Sequence, residues 1–133
     1  MNTLYQSLTQ RPMFEKVELI SENEIAITTG LVYDDKTKDS DSRTELTLCL
    51  VKTEDTLTLT DKGLTRAYMD EIFELSEPDV IKNILAVTDY YNVSTKIKQL
   101  SVEVDETGES ICEALLKMVY CIGFLDAMKI FYV

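Results

Sequence analysis

The sequence predicts an α+β fold, in which an antiparallel β-sheet packs against two or three helices, the last of them long. Two observations carry this prediction. Apolar and polar residues alternate over much of residues 16–60, which is typical of strands with one buried face. After Gly63 the apolar residues recur with a helical period instead. At 133 residues the chain suits one domain, which we expect to cover positions 1–133.

The first half of the chain contains a short predicted helix followed by four predicted strands. The helix covers residues 3–10, and Pro12 ends it because the residue before a proline avoids the helical conformation. Short polar turns connect most of the strands, which favours an antiparallel meander. The predicted strands cover residues 16–20, 24–33, 43–52 and 56–60.

The second half contains three predicted helices and a late strand. Leu64, Ala67 and Tyr68 lie in the predicted apolar stripe of the first helix, and Ser76 is the predicted N-cap of the second. The last helix is apolar over more than one face, which places it either centrally in the domain or against a partner. The late strand either joins the sheet or forms a small local pairing, so four to six strands are expected. The helices are predicted near residues 64–73, 78–91 and 109–131, and the late strand at residues 100–104.

Residues 56–63, Thr-Leu-Thr-Leu-Thr-Asp-Lys-Gly, lead from the fourth strand into a helix. We expect Asp61 to cap free N–H groups at the start of that helix and Gly63 to adopt a positive φ. Together with the Tyr-Tyr-Asn-Val sequence at 90–93 and the long helix at 111–130, this Leu-x-Leu-Thr-Asp-x-Gly turn resembles an uncharacterised bacterial and prophage domain family. The resemblance covers about residues 15–130. It implies an α+β fold and a mobile-element context, but no catalytic residues, because the family has no established activity.

The composition argues against several common chemistries. The chain contains no histidine, which removes the usual general base, the Ser-His-Asp triad and most zinc sites. Its four glycines form no phosphate-binding loop. Cys49, Cys112 and Cys121 include no CxxC pair and are interpreted as reduced core residues of a cytoplasmic protein. These missing motifs also give no reason to expect a cofactor. No signal peptide or segment of membrane-spanning length is visible, so we expect no membrane association.

The formal net charge is −11, from 13 basic and 24 acidic residues. This charge opposes direct binding to nucleic acid or to anionic membranes, and it favours a basic protein partner. Two acidic stretches in the helical half contain almost no basic residues; if they adjoin, they form one face that imitates nucleic-acid phosphates. The residues predicted to bind the partner are Asp70, Glu71, Glu74, Glu77, Asp79, Glu103, Asp105, Glu106 and Glu109.

The leading hypothesis is therefore a non-enzymatic phage or mobile-element protein that inhibits a basic, nucleic-acid-handling host protein. A CRISPR effector nuclease is one candidate target, suggested by the charge and by the mobile-element context; the protein would then be an anti-CRISPR. Acidity that serves only solubility is the plainer explanation of the same charges. Two alternatives stay open: a small metal-dependent hydrolase or nuclease-like enzyme that uses Asp61, and a homodimeric scaffold formed through the C-terminal helix.

Overall fold

The computed structural model describes residues 1–10, 14, 16–34, 43–73 and 77–128. One helix is followed by four strands, two helices, a short 3-10 turn, a fifth strand and a last helix. The elements are α1 (Asn2–Thr9), β1 (Lys16–Ser21), β2 (Glu24–Asp34), β3 (Arg43–Lys52), β4 (Leu57–Thr60), α2 (Leu64–Ile72), α3 (Pro78–Tyr90), β5 (Ser101–Val104) and α4 (Gly108–Ala127).

The five strands form one antiparallel sheet in the order β1-β2-β3-β4-β5. Each strand pairs with its neighbour in sequence, so the predicted meander and the predicted α+β class are both confirmed. The late strand joins the sheet as an edge strand: β5 pairs with β4 from Leu57 opposite Val104 to Thr60 opposite Ser101. This pairing brings the turn before β4 next to the turn after β5.

The helices cover one face of the sheet. Ile27, Leu48 and Leu59 are fully buried on that face, whereas the alternate positions, such as Thr47 and Cys49, are only half-buried. Helix α4 packs on β4 and β5 and also contacts α1 and α3. Its fully buried residues include Ile111, Met118, Cys121 and Ile122. Burial of side chains of this size typically stabilises a fold by roughly 2 kcal/mol each.

Two local predictions are corrected by the structure. Among the described side chains of α2, Thr65, Tyr68 and Met69 are buried, whereas Leu64 and Ala67 are exposed. A hydrogen bond from the backbone N–H of Thr65 to the Asp61 carboxylate, described below, contributes to this orientation of α2. The N-cap of α3 is Glu77, which makes no side-chain capping bond. The predicted N-cap, Ser76, lies outside the described residues.

Candidate functional site

Asp61 lies where β4 ends and the chain turns into α2, and its side chain is only 1% exposed. Its Oδ1 accepts hydrogen bonds from the backbone N–H groups of Gly63, at 2.9 Å, and Leu100, at 3.0 Å. Its Oδ2 accepts a third bond from the backbone N–H of Thr65, at 3.1 Å. The bonds to Gly63 and Thr65 satisfy free donors at the start of α2, which confirms the predicted capping role.

The bond from Leu100 extends the β4–β5 ladder by one residue. The backbone N–H of Asp61 donates to the carbonyl oxygen of Leu100 at 3.1 Å. In a regular ladder the N–H of Leu100 would donate to the Asp61 carbonyl, but here it donates to the Asp61 carboxylate. The Asp61 carbonyl instead accepts from the N–H of Leu64 at 3.2 Å. One carboxylate thus ends a strand, caps a helix and fixes the chain before β5. The sequence gives no sign of this partner, because Leu100 lies 39 residues away.

Two residues with positive φ follow Asp61 and complete the turn. Gly63 has φ 84°, as predicted, and Lys62 has φ 55°. A Cβ at Gly63 would lie 3.4 Å from the carbonyl oxygen of Lys98, so the positive φ is the main reason for glycine here. The Lys62 ammonium lies 2.6 Å from a carboxylate oxygen of Glu24, and this hydrogen bond raises the pKa of Lys62.

The surroundings of Asp61 give no support to the enzyme alternative. Its carboxylate is committed to three backbone donors and is closed to solvent, so it does not reach a substrate. Burial, together with the nearby charge of Asp61, raises the pKa of the Cys121 thiol to about 12, and burial also raises the pKa of Cys49. Both thiols are therefore held protonated and are poor nucleophiles. Within the described part of the chain, no three acidic or cysteine side chains come together as metal ligands.

A different acidic arrangement lies at the other strand-to-helix junction. Since Leu57 pairs with Val104, the β3–β4 turn lies beside the β5–α4 turn. The two turns line one surface depression. We call its four exposed carboxylates the acidic end: Glu54, Asp55, Asp105 and Glu106.

The acidic end carries little compensating charge. Of the described residues that line the depression, Lys52 is the single cation. Its ammonium lies 2.7 Å from a carboxylate oxygen of Glu106, and this hydrogen bond lowers the pKa of Glu106. The N-terminal ammonium adds a further, weaker electrostatic effect that also lowers the pKa of Glu106. All four carboxylates face solvent.

The start of α4 holds the β5–α4 turn in place. The Thr107 hydroxyl, at the N-cap, accepts a hydrogen bond from the backbone N–H of Ser110 at 3.1 Å. The Ser110 hydroxyl in turn accepts from the backbone N–H of Asp105 at 2.9 Å. Glu109 lies in the first turn of α4, where the helix dipole favours a negative charge. The backbone that carries Asp105 is therefore fixed to the helix.

Within the described residues, the start of α3, which carries Glu77 and Asp79, lies far from the start of α4, which carries Glu109. Ile81, in the first turn of α3, lines a cleft together with Leu125, near the end of α4, whereas Glu109 lies at the beginning of α4. The distance along α4 between these ends is about 24 Å at 1.5 Å per residue. That exceeds two Debye lengths at physiological salt, so the charges at the start of α3 are largely screened from Glu109. The other end of α3 does approach the second stretch, because Asp89 lines a depression together with Glu103.

The individual residues of the first acidic stretch have different surroundings. Asp70 lies 3.5 Å from the guanidinium of Arg66, one helical turn away. Glu77 and Asp79 are exposed at the start of α3. Glu71 belongs to α2, but its side chain and the whole of Glu74 lie outside the described part of the structure.

The second stretch keeps its members together and gains neighbours. Glu103, on β5, lines a shallow depression with Asp89 of α3 and Lys117 of α4. Asp105 and Glu106 join the β3–β4 turn in the acidic end. Sequence reasoning missed Glu54 and Asp55 because they precede β4, far from the other members in sequence. A correct strand order with β5 beside β4 would have found them.

A cleft between α2, α3 and the 3-10 turn is the remaining concave feature of note. Its volume is about 150 Å³, and its lining is mostly apolar, with Arg66 and Lys98 also contributing. Cofactor and drug-sized ligand sites usually enclose about 300–1,000 Å³, so this cleft is small for such a ligand. Beside it, Ile97 is 88% exposed and has φ 60°, which is strained for a β-branched residue.

Comparisons with protein-family models, with curated proteins and with solved structures give no significant match. The resemblance based on residues 57–63 therefore stays a prediction. No helix among the described residues is long and apolar enough to cross a membrane. The described residues thus define an α+β protein with a buried structural carboxylate, Asp61, and an exposed acidic end.

Proposed function

We propose that this protein is a non-enzymatic interaction protein that binds and inhibits a basic, nucleic-acid-handling protein through its acidic end. The observation that carries the proposal is the meeting of Glu54 and Asp55 with Asp105 and Glu106 in one exposed depression. A mobile-element setting, with a CRISPR effector nuclease as one candidate target, rests on the family resemblance and on the charge.

The electrostatics support a binding role of this kind. A chain of net charge −11 repels nucleic acid and attracts a basic groove, and clustered exposed charges accelerate such encounters. The acidic end presents its carboxylates on two adjacent turns, and one of these turns is tied to α4 by Thr107 and Ser110. A partner that normally binds a phosphate backbone would bind the carboxylates of the acidic end in place of the phosphates. Glu103 and Glu109 flank the acidic end along the chain and extend the negative field.

A pair of charge-reversed variants tests the proposal. Glu54→Lys combined with Asp105→Lys reverses two charges of the acidic end and leaves the Lys52–Glu106 ion pair intact. Glu18→Lys combined with Glu22→Lys makes the same change in net charge on β1 and the turn that follows it. Each protein is immobilised and used to capture partners from a bacterial lysate at low and high salt. Captured nucleic-acid-binding proteins, and purified CRISPR effector nucleases with guide RNA, are then titrated directly.

We expect the wild type and the β1 variant to bind the same basic protein, with an affinity that falls as salt rises. The acidic-end variant should bind at least about tenfold more weakly at low salt, mainly through slower association. Equal binding by the two variants, or binding that is independent of salt, would contradict the proposal. A partner without a nucleic-acid-binding surface would contradict the proposed inhibitory role.

A further inference from the structure

The outward face of α4 carries large apolar side chains that nothing in the described structure covers. Leu116, Tyr120 and Phe124 are 44%, 60% and 53% exposed, respectively, and recur every four residues. The opposite face of the same helix is already buried against the sheet and the other helices. An apolar strip of this kind on a helix that has its own core is typical of an interaction surface.

Gly123 lies within the same outward face and has no role in the fold that would require a glycine. Its φ is not positive, and a Cβ added there would meet no atom within 4 Å. Glycine in the interior of a helix weakens the helix relative to alanine. Gly123 therefore weakens α4 without being required by contacts within the chain. This points to another chain that approaches the backbone closely at this position.

The exposed residues follow the spacing of a two-helix seam. Leu116, Tyr120, Gly123 and Ala127 are separated alternately by four and three residues, which is the a and d spacing of a coiled coil. We call these four residues the outer stripe. The stripe divides by size, with two large side chains towards the middle of α4 and two small residues towards its end. A partner that fits it must supply small residues opposite the large ones.

We propose that a second copy of this chain packs on the outer stripe with its α4 antiparallel, so that the protein is a homodimer. With the two-fold axis between Cys121 and Ile122, Tyr120 lies level with Gly123 of the second copy. Leu116 then lies level with Ala127 of the second copy. Each layer of the seam pairs a large side chain with a small one. In a parallel pair, Tyr120 would instead face Tyr120 and Gly123 would face Gly123. The tyrosine layer would then be crowded and the glycine layer would leave a void.

The charges on α4 favour the same orientation. In a parallel pair, Glu109 and Glu113 of the two copies would face each other, whereas the antiparallel pair places them at opposite ends. Lys117 comes directly after Leu116 in the sequence, and Phe124 comes directly after Gly123. Both therefore lie along the same edge of the outer stripe. Equivalent edges face each other in an antiparallel pair, so the Lys117 ammonium lies near the Phe124 ring of the second copy, a cation–π arrangement.

Dimerisation is independent of the proposed partner binding, and the two should respond to salt in opposite directions. Two chains of net charge −11 repel each other, so screening strengthens the dimer, whereas screening weakens capture of a basic partner at the acidic end. The antiparallel dimer also leaves an acidic end free at each extremity. The acidic-end variant Glu54→Lys/Asp105→Lys is therefore expected to remain dimeric.

The first test is sedimentation equilibrium of the full chain with two matched substitutions. We expect the wild type to approach twice the chain mass of 15.2 kDa at high concentration, and to do so more readily at high salt. Tyr120→Lys should raise the dimer Kd at least about a hundredfold, because it places a cation in the apolar seam. Tyr90→Lys makes the same chemical change at a residue of α3 that is 81% exposed, and it should leave the Kd unchanged.

The second test, Gly123→Ala, separates the antiparallel seam from a parallel one. The added methyl group meets Tyr120 of the second copy in the antiparallel pair, so we expect weaker dimerisation while the Tm of the diluted monomer is unchanged or higher. In a parallel pair the same methyl group would fill a void, and tighter dimerisation would overturn the proposal. So would a wild type that stays monomeric up to about 1 mM, or a dimer that Tyr120→Lys leaves intact.

Discussion

The two strand-to-helix junctions of this protein use similar residues for opposite purposes. At the β4–α2 junction, Asp61 is buried and its carboxylate accepts three backbone hydrogen bonds. At the β5–α4 junction, Asp105 and Glu106 are exposed, and a hydroxyl, that of Thr107, caps the helix in place of a carboxylate. The first junction therefore holds the fold together, whereas the second leaves its carboxylates free for a partner.

The difference between the junctions comes from what lies opposite each turn. Asp61 faces Leu100, and its carboxylate accepts bonds from three backbone N–H groups while buried from solvent. Asp105 and Glu106 face a second acidic turn and the solvent, with Lys52 as their neighbouring cation. An acidic residue that follows a strand can therefore have either a structural or a binding role. Its role depends on whether the tertiary structure supplies donors or exposure.

The largest expected effect is at the buried junction. Asp61→Ala leaves three backbone N–H groups without their acceptor, one of them from Leu100 in the buried interior, and should lower the free energy of unfolding by about 3–5 kcal/mol. Asp105→Ala, at the other junction, should change it by less than about 0.5 kcal/mol because its carboxylate is solvated. Urea denaturation followed by circular dichroism measures both. Similar losses for the two variants would remove the distinction between the junctions.

A smaller effect is expected at the cap of α4. Thr107→Ala removes the acceptor of the Ser110 N–H and should cost about 1 kcal/mol, a typical value for an N-cap. Thr107→Ser keeps the hydroxyl and should restore most of that loss. Thermal unfolding of the two variants side by side is the measurement. If serine fails to restore stability, the methyl group and not the hydrogen bond holds this turn.

The smallest expected effect is the pH response of the ion pair at the acidic end. The hydrogen bond from Lys52 lowers the pKa of Glu106 below its ordinary value of 4.5 in the folded state. The resulting stabilisation is present above the unfolded pKa and is lost as pH falls through the lowered, folded pKa. Lys52→Met should return the Glu106 titration towards 4.5, as followed by carboxyl carbon NMR. Lys62→Met, which removes the ion pair of the other junction, should leave that titration unchanged.

Much of the fold could be predicted from local patterns. The bounds of β3 were predicted to the residue, and the positive φ at Gly63 and Asn92 follows from residue type. Local patterns were less reliable where tertiary hydrogen bonds set an orientation, as in α2, where Thr65 is buried and Leu64 is exposed. Apolarity predicts which residues prefer burial, but the bond from Thr65 to Asp61 contributes to which side of the helix turns inward.

The candidate site was predicted only in part. Glu103, Asp105, Glu106 and Glu109 were recognised as an acidic stretch, and the structure keeps them at one end of α4. Glu77 and Asp79 lie away from them because α3 begins near the opposite end of α4. The stretch joins Glu54 and Asp55 instead, and that contact depends on the pairing of β4 with β5.

The sequence by itself determined the α+β class, the meander of the first four strands, the helix-capping role of Asp61 and the strong negative charge, because each depends on composition or on neighbours along the chain. The tertiary structure alone decided that Leu100 would share the Asp61 carboxylate, and which carboxylates would meet at the acidic end. It also decided which face of α4 would stay uncovered. These outcomes depend on strand order and helix direction, which join residues far apart in sequence and therefore leave no local pattern.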